Sequence, residues 1–253
     1  MDLSAFSLAG RTILVTGANT GIGQGIAVAA ARAGATVLGV ARSSLDETSE
    51  RVAAVGGRLV PVACDLAAPG AAVAMLERAW AEHGPIDGLV NNAGIIRRAD
   101  AAEHSEADWD AVLELNLKTV FLLSQAFGKR LLAAGLSGRI VNIASLLSVQ
   151  GGIRVAAYTA SKHGVAGLTK LLANEWAGRG INVNAIAPGY VESNNTEALR
   201  ADPERSAAIL ARIPAGRWGA PSDIGDAAVF LLAPASAYVH GTIIPVDGGW
   251  LAR

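Results

Sequence analysis

Thr12-Ile13-Leu14-Val15-Thr16-Gly17-Ala18-Asn19-Thr20-Gly21-Ile22-Gly23 is the stretch that decides the architecture. Its start is a short apolar run with β-branched members, which reads as a buried strand. An Ala-rich helical stretch follows, from Gly23 to Arg32, closed by Gly34. Thr36-Val37-Leu38-Gly39-Val40 then reads as a second strand. Strand, glycine turn, helix and strand in about thirty residues have the size of a βαβ unit. Without side chains, the glycines let the backbone turn tightly and come close to a pyrophosphate. The helix N-terminus behind them offers free N–H groups and partial positive charge to that anion. A plain glycine turn has the same composition; the strand before and the helix after favour phosphate binding. The candidate contacts are Gly17, Asn19, Thr20, Gly21, Ile22 and Gly23.

Outward from that unit the alternation continues. Leu45 to Val55 reads as a helix, Leu59 to Ala63 as a strand, and Pro69 to His83 as a helix started by its proline. Gly88-Leu89-Val90 is a strand ending in Asn91-Asn92-Ala93-Gly94, and Trp109 to Ala134 carries apolar residues at helical spacing. Gly138 to Ile143 is a strand ending at Ala144-Ser145, and Tyr158 to Arg179 is a helix. Ile181 to Ile186 is a strand broken by Pro188-Gly189, and Thr242 to Val246 is a last short strand. Strands alternating with helices predict a parallel sheet covered on both faces. The expectation is α/β: one doubly wound domain over residues 1–253, about seven parallel strands, with its ligand at their carboxyl ends.

The bulk numbers narrow the function classes. The chain has 253 residues, 51% hydrophobic, with a formal net charge of −1. No basic surface suggests nucleic acid, and no run of like charge suggests a tail. The single Cys64 has no partner for an internal disulfide and reads as a small core residue. No basic n-region precedes an apolar run at the start, and no stretch is long and apolar enough for a transmembrane helix. A cytoplasmic protein is expected. No His/Cys/Asp/Glu set has metal-ligand spacing, so no catalytic metal is expected.

The strand-end rule also sorts the polar residues. Asn91, Asn92, Ser145, Pro188 and Gly189 fall just past the predicted strand ends, pointing from distant parts of the chain to one crevice, with Asp65 beside an adenine position. Tyr158-Thr159-Ala160-Ser161-Lys162 sets a phenol and an ammonium on one helix face, a turn apart. A neighbouring cation favours the phenolate and would tune Tyr158 toward acid–base work. A solvated helix face carries such a pair too; the shared crevice favours the functional reading.

Thr16-Gly17-x-x-x-Gly21-x-Gly23, Asn91-Asn92-Ala93-Gly94, Ser145, Tyr158-x-x-x-Lys162 and Pro188-Gly189 together resemble the short-chain dehydrogenases/reductases, in order and over essentially the whole chain. That resemblance implies a nicotinamide dinucleotide, held by the glycine turn with Asp65, Leu66, Asn92, Ala93, Gly94, Tyr158, Lys162, Pro188, Gly189 and Val191. It implies that Tyr158 exchanges the proton, Lys162 lowers its pKa and holds the nicotinamide ribose, and Ser145 bonds the substrate oxygen. Asn116 matches the asparagine of a water-linked proton relay; from its apolar neighbours alone it reads equally as a bond to a backbone kink. Asn194 to Ala211 lies where the family carries a substrate lid. The helices around 109–134 and 158–179 match a dimer contact, implying a homotetramer.

Cofactor choice turns on the end of the second strand. It runs Val40-Ala41-Arg42-Ser43, with no carboxylate to bind a ribose 2′-hydroxyl and an Arg42 suited to a 2′-phosphate. NADP is favoured and NAD stays open.

A closer likeness is to the 2-dehydro-3-deoxy-D-gluconate 5-dehydrogenases and gluconate 5-dehydrogenases. It rests on Ile96 to Asp100, Gln150 to Val155, Asn194-Asn195-Thr196, Leu199 to Asp202, Arg212 to Gly219 and Asp247 to Arg253. It implies a sugar-acid substrate, whose carboxylate calls for an arginine. Arg154 is the first candidate, ahead of Arg97, Arg98 and Arg217; Gln150 and Asn194 are further substrate candidates. The alternatives are a 3-oxoacyl-carrier-protein reductase, or a dinucleotide-binding protein without turnover. Trp176, Trp218 and Trp250 read as packing residues before pocket walls.

Overall fold

A computed structural model describes residues 3–253. Its sheet has seven strands, β1 (Thr12–Thr16), β2 (Thr36–Ala41), β3 (Arg58–Ala63), β4 (Gly88–Asn91), β5 (Gly138–Ile143), β6 (Ile181–Pro188) and β7 (Ile243–Val246). They lie in the order β3-β2-β1-β4-β5-β6-β7, every pair parallel. This is the single doubly wound α/β architecture read from the strand–helix alternation. The order reverses direction between β1 and β4, so the crevice above that pair is the ligand position.

Burial explains the strand compositions. β4, β5 and β6 are buried along their whole length, as continuous runs such as Ile140-Val141 require between two helical layers. The interior prolines, Pro61 of β3 and Pro245 of β7, lie on the two edge strands, where a missing N–H is tolerated on the unpaired side.

Helices α1 (Gly21–Arg32), α2 (Asp46–Ala54) and α9 (Pro221–Leu232) cover one face, packing Ile26, Val52, Ile224 and Leu231 onto Ile13 and Val15. Helices α3 (Ala71–His83), α5 (Thr119–Ala134) and α6 (Ala156–Trp176) cover the other, where Met75, Phe127 and Leu172 meet Leu14, Leu89 and Ile140. A Cβ at Gly25 would stand 2.5 Å from the Pro221 carbonyl oxygen, and one at Gly225 would stand 2.6 Å from that of Gly25. These glycines let α1 and α9 pack backbone to backbone. Trp176 lies across Gly128 of α5, which makes it a core residue.

Several boundaries differ from expectation. Pro69 does not open α3: Gly70 takes a left-handed φ of 73° and the helix begins at Ala71. The stretch read as one helix from Trp109 is α4 (Glu106–Leu113), capped by Ser105, then a π turn (Glu114–Lys118), then α5. Asn116 in that turn bonds the backbone of Ile95 twice, accepting from its N–H at 2.9 Å and donating to its carbonyl at 2.8 Å. Helix α6 begins before Tyr158, at Ala156, and β6 runs through Pro188. Two short helices, α7 (Glu197–Ala201) and α8 (Pro203–Leu210), follow β6, Asp202 capping the second. No helix among the described residues is long and apolar enough to cross a membrane.

Candidate active site

A cleft of about 440 Å³ opens over the carboxyl ends of β1, β4, β5 and β6. Its floor is the glycine turn. Gly17 has φ 65° and Gly21 φ 54°, and a Cβ on Gly23 would fall 2.0 Å from the Gly17 carbonyl oxygen, so no other residue fits there. No side chain caps the N-terminus of α1, which leaves its first amides facing the cleft beside Asn19 and Thr20. That bare, closely approachable turn fits a dinucleotide pyrophosphate.

The turn is held from outside the motif. Thr16 Oγ1 accepts from the amides of Asn92 and Ala93 at 2.9 and 3.0 Å, and Asn92 Nδ2 donates to the Thr16 carbonyl at 2.9 Å. The Thr48 hydroxyl, on α2, donates to the Ala18 carbonyl at 2.9 Å, and Gln24 reaches the Asn19 carbonyl at 3.3 Å. Sequence reading missed Thr48 and Gln24, because a polar residue on an amphipathic helix carries no mark of its partner.

The cleft brings Ser145, Tyr158 and Lys162 together with Asn92, Ala93, Gly94, Pro188, Gly189, Val191 and Arg42. It also takes in Ser193 through Thr196, of which only Asn194 was expected. Ser193 stands over the turn, 3.2 Å from where a Gly21 Cβ would lie. Asn91 departs from expectation. Side chains alternate along a strand, so Asn92 faces the cleft and Asn91 faces the core. There Asn91 donates to Ser124 and Asn142 at 3.0 and 2.9 Å.

Burial sets the electrostatics. Lys162 is 5% exposed, its ammonium donates to the Ile143 carbonyl at 2.6 Å, and burial pulls its pKa down to about 8. Burial pushes the Tyr158 phenol above its usual value, while a hydrogen bond from Ser145 and the charge of Arg98 pull the other way. Lys162 was expected from the sequence to lower the tyrosine; the influences on the phenol in this structure are burial, Ser145 and Arg98. The ammonium stands 5.5 Å from the ring centroid and is committed to a carbonyl. Ser145 Oγ accepts from the Leu147 amide at 3.1 Å, so its own proton is left to donate. Asn116 lies behind the cleft, 3.5 Å from Ser161 Oγ.

The glycine turn in this crevice and the tyrosine–lysine pair beside it are features that the whole chain shares with known proteins. The family model described as Enoyl-(Acyl carrier protein) reductase matches residues 17–251. A 2-dehydro-3-deoxy-D-gluconate 5-dehydrogenase of Escherichia coli (strain K12) is 58% identical over 253 residues, all of both chains. The chain belongs to the short-chain dehydrogenase/reductase family. Solved short-chain dehydrogenase/reductase structures superpose closely. A candidate 2-deoxy-D-gluconate 3-dehydrogenase from Agrobacterium tumefaciens, with bound NADP, is 63% identical with a TM-score of 0.94, over 98% of this chain and 99% of that one. A gluconate 5-dehydrogenase from Burkholderia cenocepacia J2315, in complex with NADP and tartrate, is 37% identical with a TM-score of 0.92, over 99% of each.

In this short-chain dehydrogenase/reductase the four candidate arginines separate. Arg154 is held by Asp100 at 3.1 Å outside the cleft, with a left-handed φ of 63°. Arg97 pairs with Asp108 at 3.2 Å and Arg217 doubly with Asp223 at 2.7 and 3.0 Å. Arg98 has no carboxylate partner among the described residues; it donates to the Asn195 carbonyl at 2.9 Å, at the cleft mouth. Gln150 does not line the cleft and accepts from the Trp250 indole at 3.3 Å. Asp65 lies at the outer end, 3.9 Å from Arg42, with Leu66 buried behind it. A larger open groove of about 790 Å³, lined by Leu113, Leu117, Phe121 and Leu168, holds none of the residues read as catalytic. Among the described residues no three His, Cys, Asp or Glu side chains are grouped to hold a metal.

Proposed function

We propose that this chain is an NADP-using oxidoreductase that interconverts a secondary alcohol and a ketone on a sugar acid of the gluconate, 2-deoxygluconate or 2-dehydro-3-deoxygluconate type. The placement of Ser145 and Tyr158 on the same cleft as the glycine turn, with Lys162 buried beside them, carries the reading. The names of the 58% and 63% identical relatives support the substrate class, and the NADP bound in the second supports the cofactor.

The dinucleotide, when bound, supplies the hydride chemistry. Tyr158 exchanges the hydroxyl proton of the carbinol, and Ser145 donates to the substrate oxygen. Lys162 holds the nicotinamide ribose. Asn116, fixed on the π turn by Ile95, keeps the backbone behind the site in place for a proton relay toward Lys162. Arg98 displaces Arg154 as the arginine for the substrate carboxylate, because its charge acts on Tyr158 and, unlike the other three, it has no acidic partner among the described residues. Arg42 takes the 2′-phosphate at the outer end of the cleft. The apolar groove between α4, the π turn and α6 is the face on which a second copy would pack toward a homotetramer.

The test is a screen of plain, 2-deoxy and 3-deoxy-2-keto aldonic acids against acetoacetyl thioesters, with both NADP and NAD, read at the nicotinamide absorbance. Turnover of a sugar acid supports the reading. Turnover of thioesters alone, or of nothing while the dinucleotide binds, overturns it.

A further inference from the structure

We propose that Trp250 is a positioning residue for the substrate side of the cleft, tying the base of the lid to the loop that carries Ser145. This rests on the reading of the cleft given above. Two stretches prominent in the sequence and unused by the chemistry, Arg212 to Gly219 and Asp247 to Arg253, meet at this point.

Helices α7 and α8 bury no residue, so their position is set at their two ends. The front end is Ser193 to Thr196, capped within itself and touched by Arg98. The back end is gripped by the 250–253 segment. Trp250 is 6% exposed and shares an apolar cluster with Ile213 at the lid base and with Leu146, the residue after Ser145. The Arg212 guanidinium lies 4.0 Å from the indole, a close cation–π contact. The indole N–H reaches Gln150 at 3.3 Å, on the Ser145 loop. Arg253 donates to the Ala211 and Arg212 carbonyls at 2.8 and 3.2 Å, satisfying acceptors left open where α8 ends.

The backbone is shaped for this grip. Gly248 and Gly249 have φ 64° and 89°, and a Cβ on either would come within 2.9 Å of Ile213 or 3.0 Å of Pro214. One indole therefore bridges the base of the lid and the loop that carries Ser145. Losing it would free the lid relative to Ser145 while leaving the glycine turn untouched.

The experiment compares Trp250→Ala, Trp250→Phe and Arg253→Ala with the parent chain. Readouts are tryptic cleavage after the exposed Arg200 and Arg205, dinucleotide Kd from nicotinamide fluorescence, and KM for the sugar acid. Trp250→Ala and Arg253→Ala should speed cleavage on the order of tenfold, as expected of a locally opened segment, with dinucleotide Kd unchanged. KM for the sugar acid should rise more than kcat falls, and Trp250→Phe, which keeps ring packing, should recover most of both. Cleavage and KM at parent values in folded Arg253→Ala, or KM and dinucleotide Kd worsening together, would overturn the proposal. Cleavage and dinucleotide binding need no substrate, so they test it even if the sugar-acid reading fails.

Discussion

The Lys162 ammonium sits 5.5 Å from the centre of the Tyr158 ring and spends a hydrogen bond on the Ile143 carbonyl. The phenol therefore starts above its usual pKa, pushed by burial. Below that pKa the fraction of phenolate rises tenfold per pH unit. Alcohol oxidation, which needs a proton acceptor, should climb with pH through the alkaline range, and ketone reduction should fall there. Tyr158→Phe should lower turnover by about 10²–10⁴-fold, the usual scale of general acid–base catalysis, and spare dinucleotide binding. Initial rates in both directions from about pH 6 to about pH 10, below the phenol's raised pKa, give the check; a full-rate phenylalanine variant would end the assignment.

The same lysine makes a stability prediction. Its folded pKa of about 8 lies below the unfolded value of 10.5, so the unfolded chain binds the extra proton between them. Stability thus rises with pH across that window, and the cost of burying the charge is fully present below pH 8. Lys162→Met should raise stability at neutral pH by roughly 3 kcal/mol, from about 1.4 kcal/mol per pKa unit, and the gain should shrink as pH rises. Denaturant midpoints at pH 7 and pH 10 compare the two; a gain that grows with pH would contradict the argument.

The strands, their parallel direction and the cleft were legible because each rests on local chemistry. Val15 must be buried, Gly23 must lie against Gly17, and a residue past a strand end must face the crevice. What escaped was set by partners distant in sequence. Nothing near Arg154 announces Asp100, and nothing near Trp250 announces Arg212. The π turn at Asn116 depends on the Ile95 backbone, which no helical periodicity encodes. Asn91 was misplaced for a simpler reason: the strand runs one residue further than read, so the alternation sends it inward.

Arg42 is 80% exposed, and the Asp65 carboxylate stands 3.9 Å away. A 2′-phosphate would add charge-assisted bonds to Arg42 that a 2′-hydroxyl does not. Arg42→Ala should weaken NADP by about 10–100-fold, the equivalent of roughly 1.5–3 kcal/mol, and NAD by much less. Asp65→Asn, which keeps the acceptor for the Ala67 amide but removes the charge, should shift preference further toward NADP. Titration of each dinucleotide by fluorescence measures both; equal losses for the two cofactors in Arg42→Ala would remove the phosphate contact.

Arg98 has two separable effects. Its charge acts on Tyr158, and its guanidinium is free of any acidic partner among the described residues while touching Asn195. Arg98→Ala should raise KM for a sugar acid by about 10–100-fold, the loss expected for one charged hydrogen bond. A polyol of the same length without a carboxylate should lose little. The alkaline limb of the oxidation profile should also move to higher pH, because a cation that lowered the phenol is gone. Arg154→Ala, which breaks the pair with Asp100 outside the cleft, should leave that limb in place. If Arg154→Ala raises KM and Arg98→Ala does not, the carboxylate is bound at the other wall.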